Sequence, residues 1–417
     1  MQSLLTAAGV QFGGHFAKNI APLKLHFSED ILWDITTTKW GLLQSAVTLP
    51  CIFFPWMLGR TVDRKRNVKK VLVASLVVVC IGELMFIMAA KNHWFTVCLM
   101  GRFVFGVGEG LVSSLSVYIA ATSVPKYKMT AIGLTQSFHA LAVACSKASL
   151  AYFAKIFHSY IAALVISLGV CCASLAVGCL WHPKRTPTRG PASCHTDSSN
   201  TNDSLSLDFW LVAGIHLMFS SSHRLFGHID APFLTEKFGH SVSIAGYTSS
   251  ITEFVAMLVA PPMGLFLDKY CSLRSLPRIL FACSCIGGMA YMVLTSQRTG
   301  LAALEGALVC IGIVNGISPT VMKSIIPETV DVHQLAYAFG IYEASEAIGV
   351  VVGSVIVGEV ADMFFGSYNN CVLIFAGLLL ICSVLAGIFV IRRTHQSTRY
   401  GYSHNNSRFT SCNLYNI

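Results

Sequence analysis

The residues with the most chemical potential in this 417-residue chain are polar and ionisable side chains set inside long apolar runs. Gln11, His15 and Lys18 fall at steps of four and three, which is one helical face. Arg102, Gly106 and Glu109 do the same, and Gln136, His139 and Lys147 nearly do. His216, His223 and Asp230 recur at steps of seven, with Arg224 and His228 on a neighbouring stripe. Glu343 and Glu346 stand one turn apart beside Tyr342, while Glu83 and Glu253 are isolated in their runs. A charge in hydrocarbon costs roughly 3 kcal/mol or more unless it faces a bundle interior or a water-filled cavity. Lys18, Arg102 and Arg224 are therefore candidates to hold a carboxylate, and Glu109, Glu343 and Glu346 to hold an amine. His216, His223 and Asp230 are candidates for a proton relay. A structural reading stands beside these. Arg102 pairs with Glu109 along its own helix or braces a neighbouring span, and Lys147 pairs with a facing Glu.

The elements that must position these groups follow from composition. The chain is 54% hydrophobic and 12% charged, with mean hydropathy +0.63. Soluble domains carry about 25% charged residues. Apolar runs near 4–26, 40–59, 71–90, 95–121, 129–154, 160–181, 209–234, 242–267, 279–296, 301–325, 335–362 and 370–391 match the length of membrane helices. They are about twice a barrel strand and lack two-residue alternation, so the expectation is an all-α membrane protein of twelve transmembrane helices. Met1–Lys24 has no basic n-region and reads as the first span.

Lys and Arg in the loops fall 18 to 5 on one side, led by Arg60, Arg64, Lys65, Arg66, Lys69 and Lys70. This bias puts both termini in the cytoplasm and explains the net charge of +9 without a nucleic-acid partner. His182–Asp208, with Pro183, Pro187 and Pro191 and a polar run, reads as a cytoplasmic linker. The organisation expected is a six-helix bundle over 1–181, the linker over 182–208, a second bundle over 209–391 and a polar, disordered tail over 392–417. No cofactor or metal is expected: Cys283 and Cys285 are too close for zinc spacing, and most of the 15 cysteines lie in apolar runs. No phosphate-binding loop or nucleophile elbow is present, so an enzyme is disfavoured.

The halves repeat. Gly59-Arg-Thr-Val-Asp63-Arg64 ends the second run, and Gly264-Leu-Phe-Leu-Asp268-Lys269 ends the eighth, 205 residues later. Each Gly permits close helix approach, and each Asp suits a neighbouring helix N-terminus; Gly59, Asp63, Arg64, Gly264 and Asp268 are read as a gate. Gly59–Lys70 resembles the loop motif of the major facilitator superfamily, and Gly101-Arg102-Phe-Val-Phe-Gly106-Val-Gly108 resembles its fourth-span motif. Thr235-Glu-Lys-Phe-Gly239, Ala260–Asp268 and His333 through Gly340 are similar to the branch holding the animal lysosomal dipeptide transporter and its fungal and protist relatives. The resemblance implies two pseudo-symmetric bundles, with spans one, four, seven and ten around a central cavity. It implies a secondary transporter moving a short peptide or amino acid-like zwitterion by alternating access, with protons as candidate coupling ion. It also implies a lysosomal or vacuolar membrane rather than a plasma membrane, a single chain as the transport unit, and an accessory membrane subunit as a candidate partner. The branch's fifth-span arginine is absent, since this chain reads Ser137-Phe-His139 there, and its fourth-span acid corresponds to Glu109. The alternative is a non-transporting binding or regulatory protein on the same scaffold.

Overall fold

The computed structural model describes residues 2–23, 27, 37–65, 67–181, 205–272, 275–296, 300–363 and 367–412. Among them there are helices and no strands. In chain order the long helices are α1 (Gln2–Lys18), α2 (Thr37–Thr48), α3 (Phe54–Lys65), α4 (Val68–Lys91), α5 (Phe95–Ser123), α6 (Lys128–Ile156) and α7 (Tyr160–Leu180). They continue as α8 (Leu207–Phe238), α9 (Val242–Tyr270), α10 (Leu276–Thr295), α11 (Leu301–Thr329), α12 (Leu335–Met363) and α13 (Asn369–Cys412).

Local chemistry explains the boundaries. The run expected over 40–59 is broken into α2 and α3 by a 3-10 turn, Leu49–Ile52, centred on Pro50, which has no N–H to give to a helix. Ser206 caps α8 by accepting from Phe209 N at 3.2 Å, and Gly239, at φ 67°, closes its far end with its N–H on Thr235 O. Helix α11 runs four residues past the expected end at 325, which carries Lys323 well inside it. The stretch from Thr394, expected as a disordered tail, is helical backbone to Cys412 as the continuation of α13. The linker expected over 182–208 lies mostly outside the described residues.

Nine segments among the described residues are long and apolar enough to cross a membrane. The long helices outside that set are α1, α6 and α8. These are the helices whose apolar pattern is interrupted by His15 and Lys18, by His139 and Lys147, and by His216, His223, Arg224, His228 and Asp230. Large apolar side chains such as Leu258, Met289, Val352, Val355 and Leu380 face outward, as a lipid-facing surface requires. Inside, Phe226 of α8, Tyr291 of α10 and Phe375 of α13 meet edge to face, with ring centroids 5.2–6.4 Å apart.

Two helix crossings repeat across the halves of the chain. A Cβ on Gly59 would sit 2.6 Å from Ala336 O, and one on Gly340 would sit 2.5 Å from Trp56 Cα, so α3 and α12 touch backbone to backbone. A Cβ on Gly264 would sit 2.5 Å from Met129 O, and one on Gly133 would sit 2.5 Å from Ala260 O, so α9 and α6 do the same. Gly340→Ala should therefore force the first crossing apart and lower thermal stability by about 1–3 kcal/mol. Gly358→Ala on the same helix meets nothing within 4 Å and should be neutral or slightly stabilising. Melting curves of the two purified variants give the comparison. Equal melting would contradict the close crossing.

Candidate functional site

The repeated aspartates each hold the first turn of a helix from the other half of the chain. Asp63 Oδ1 accepts from Ala336 N at 3.1 Å and Oδ2 from Tyr337 N at 2.9 Å, at the start of α12. Asp268 Oδ1 accepts from Met129 N at 3.1 Å and Oδ2 from Thr130 N at 2.7 Å, at the start of α6, with the Thr130 hydroxyl donating to Oδ2 at 2.6 Å. A carboxylate on unsatisfied helix N–H groups, at the positive end of the dipole, is a favourable contact that exists only while the two helices abut. Arg64, expected to belong to this gate, is exposed. Arg60 crosses instead, giving a 3.1 Å hydrogen bond to the Tyr337 hydroxyl with its guanidinium 4.3 Å from the ring centroid. Four residues turn the helix through about 400°, so Arg60 and Arg64 lie within about 40° of one face but about 6 Å apart along the axis, and it is Arg60 that stands level with Tyr337.

Some ten residues farther along α12, about 15 Å from the Asp63 contact, lies a polar cavity. It is lined by His15, Lys18, Asn19, Gln44, Thr48, Val143, Lys147, His223, Arg224, Gly227, His228, Glu253, Glu346 and Val350, and encloses about 670 Å³ with its open mouth included. Most charges in and against its wall are arranged in pairs. Glu109 accepts from Lys18 Nζ at 3.1 Å through Oε2, and its Oε1 lies 3.0 Å from His15 Nδ1. Glu346 Oε1 accepts from Arg224 Nε at 2.9 Å, and its Oε2 lies 3.6 Å from His216 Nε2. Lys147 donates to Asp230 Oδ2 at 2.6 Å, linking α6 to α8. His15 and His139 rings stand 3.9 Å apart, and Arg224 Nη2 lies 2.8 Å from His139 Nε2. The two carboxylates Glu109 and Glu346 are thereby joined through His15, His139 and Arg224, a chain that runs from α5 and α1 across α6 to α8 and α12.

Lys18 and Arg224 keep access to the cavity, with side chains 28% and 31% exposed. Lys18 uses one of its three donors on Glu109, and no partner among the described residues takes Arg224 Nη1. Glu343 is half-buried beside the cavity and is not part of its lining.

Arg102 is a correction to the sequence reading. It is 0% exposed and does not border the cavity. Nη1 donates to Ala17 O at 3.1 Å and Nη2 to Lys18 O at 2.7 Å, so the guanidinium caps the C-terminus of α1. Nη1 also lies 3.8 Å from Glu83 Oε2, and the Phe86 and Phe105 rings flank it at 5.1 and 5.3 Å. Its role is to place the chain at Lys18, and its acid is Glu83 of α4 rather than Glu109. The three bases do not converge.

The relay expected from His216, His223 and Asp230 is also not continuous. Residues seven apart on a helix are separated by about 10 Å, too far for direct proton transfer. Each has its own partner: His216 stacks on Tyr342 with centroids 3.6 Å apart, His223 Nδ1 meets the Tyr291 hydroxyl at 3.2 Å, and Asp230 holds Lys147.

Lys323 of α11 is the residue that sequence reasoning misses. Buried, it donates to Gln136 Oε1 at 3.2 Å and sits 5.8 Å from the Tyr342 ring centroid. A lone lysine in an apolar run is the signal, and no ionisable residue stands three, four or seven positions from it to mark a shared face.

Comparison with known proteins fits this architecture. The profile of the Major Facilitator Superfamily matches residues 4–222 and again 209–405, together nearly the whole chain. The chain belongs to the major facilitator superfamily. This major facilitator protein is a multi-pass membrane transporter and not an enzyme. It is similar to the lysosomal dipeptide transporter MFSD1 of Bos taurus, 23% identical over 378 residues that cover 86% of this chain and 79% of that one. The Homo sapiens MFSD1 is 23% identical over 379 residues with the same coverage. Among solved structures, the human organic anion transporter MFSD10 superposes with a TM-score of 0.70 at 14% identity, covering 92% of this chain and 99% of that one. The transporter FucP in the outward conformation superposes with a TM-score of 0.67 at 16% identity, covering 94% and 99%. These structures establish the major facilitator fold for this chain.

Proposed function

We propose that this chain moves a short peptide or amino acid-like zwitterion across a lysosomal or vacuolar membrane by alternating access. The observation that carries the reading is the pair of cavity-accessible bases, Lys18 from the first half of the chain and Arg224 from the second, each with donors left over after meeting its own carboxylate. A solute carboxylate bridging them would bind both halves at once, which is how a ligand biases a two-state carrier. The MFSD1 relatives, named as dipeptide transporters, support this solute class.

In this reading twelve spans form two pseudo-symmetric six-helix bundles, 1–181 and 209–391, joined by a cytoplasmic linker over 182–208, with the 392–417 segment and both termini in the cytoplasm. The repeat of Gly59–Asp63 at Gly264–Asp268 and the loop charge bias support it. Asp63 and Asp268 then clasp the cytoplasmic side while the solute cavity faces the lumen. The transport unit is one chain, with an accessory membrane subunit as candidate partner.

The test is uptake of a panel of radiolabelled dipeptides and amino acids by liposomes holding the purified protein, with and without an imposed pH gradient. Saturable dipeptide uptake supports the reading, and stimulation by the gradient assigns protons as the coupling ion. Lys18→Gln and Arg224→Gln should each weaken dipeptide binding about tenfold or more, because each removes a charged donor in a poorly hydrated site. Isothermal titration of the two variants checks this. Unchanged affinity in both would remove these bases from the site.

A further inference from the structure

We propose that Glu253 is the residue that receives the solute's ammonium group. The inference rests on the zwitterion reading above and adds the residue that reads the cationic end.

Several charged side chains stand in and against the cavity wall. Three carboxylates there already face a cation: Glu109 faces Lys18, Glu346 faces Arg224 and Asp230 faces Lys147. Two more have no ion pair among the described residues: Glu343, which lies beside the cavity but outside its lining, and Glu253 of α9, which belongs to the lining. Glu253 is only 9% exposed, and among the described residues no cation lies within ion-pair distance of it. Its one hydrogen bond among the described residues is a long one, 3.4 Å from Asn315 Nδ2 of α11 to Oε2. Lys147 and Arg224 act on its charge at longer range, while their ion pairs are with Asp230 and Glu346.

A carboxylate taken out of water with no cation in direct contact is unfavourable unless something supplies one. In a cavity that opens to solvent, the supplier is a mobile cation. The lining already offers bases with spare donors on α1 and α8 for a carboxylate. A solute that carries both charges satisfies the two ends together, its carboxylate at Lys18 and Arg224 and its ammonium at Glu253. Asn315 holds the carboxylate from behind through one oxygen, which leaves Oε1 for the ammonium.

The competing role for the same contact is structural: Glu253 and Asn315 tie α9 to α11 and do nothing for the solute. The experiment separates the two by comparing a peptide with and without its charge. Purified full-length protein in liposomes is offered alanyl-alanine and N-acetyl-alanyl-alanine, the second lacking the ammonium. The wild type should prefer alanyl-alanine by about tenfold or more in KM, the worth of one charge-assisted contact. Glu253→Gln, nearly the same shape, should reduce that preference to less than about twofold while N-acetyl-alanyl-alanine is handled as before. Glu253→Asp should keep part of the preference and stands in if the Gln variant fails to fold. A purely structural role predicts equal losses on both peptides. Equal losses, or a preference retained in Glu253→Gln, would overturn the inference and leave the transport reading intact. Failure of the wild type to take up alanyl-alanine at all would overturn both.

Discussion

Replacing Arg102 by alanine should unfold or severely destabilise the protein, by about 3–5 kcal/mol, rather than leave a folded and inactive carrier. The guanidinium is fully enclosed, and its two donors hold the last carbonyls of α1, Ala17 O and Lys18 O. Without it, Glu83 keeps one hydrogen bond, from Ser167 Oγ at 2.9 Å, and no counter-charge. Leaving one member of a buried pair is worse than removing both, so Arg102→Ala with Glu83→Gln should regain much of the lost stability. It should not regain full transport, because the α1 terminus that carries Lys18 remains uncapped. Melting curves and uptake on the single and double variants decide this. A single variant with wild-type melting and no solute binding would return Arg102 to the solute site and contradict the cap.

The second large effect is expected at the clasps. Asp63→Ala with Asp268→Ala removes both carboxylates from helix N-termini while leaving the cavity untouched. Each such cap contributes about 0.5–2 kcal/mol. Losing two shifts the equilibrium between conformations by roughly 1–4 kcal/mol, a factor of about 5 to several hundred. Turnover should fall by about tenfold or more, and the amide hydrogens of Met129, Thr130, Ala336 and Tyr337 should exchange faster by a similar factor. The solute contacts themselves are unchanged. Exchange rates equal to wild type at these four amides, measured by hydrogen–deuterium exchange, would show that the aspartates do not hold the helices.

Some of this was legible in the sequence because it is written in neighbouring residues. Gly59-x3-Asp63 and Gly264-x3-Asp268 occupy one turn each, so their repetition is visible and the close crossing and helix-end contact follow from the residue types. The partners are not visible in the same way, since Ala336 lies 273 residues from Asp63 and Thr130 lies 138 from Asp268. A second repeat was there to be read: Thr130-Ala-Ile-Gly133 and Tyr337-Ala-Phe-Gly340 open α6 and α12 and supply the other side of each crossing. Helical spacing places Arg102 and Glu109 on one face but does not say what that face meets, and the upper part of it meets α4 and the end of α1 instead of water. The same limit applies to His216, His223 and Asp230. A shared stripe on α8 extends for four turns, long enough to pass Tyr342, Tyr291 and Lys147 in succession. Isolated Glu253 gave no pattern in the chain, and its exposure to the cavity depends on how α9 packs.

The central claim is that a zwitterionic solute crosses by binding in one cavity that opens alternately to each side. Counterflow tests it most directly. Liposomes holding the purified protein are preloaded with unlabelled alanyl-alanine and placed in a trace of labelled alanyl-alanine without any ion gradient. The account predicts transient accumulation of label above its external concentration, because the binding site is carried back loaded, and predicts that Arg224→Gln abolishes it. Label that rises only to equilibrium, or no faster than in protein-free liposomes, would contradict the account.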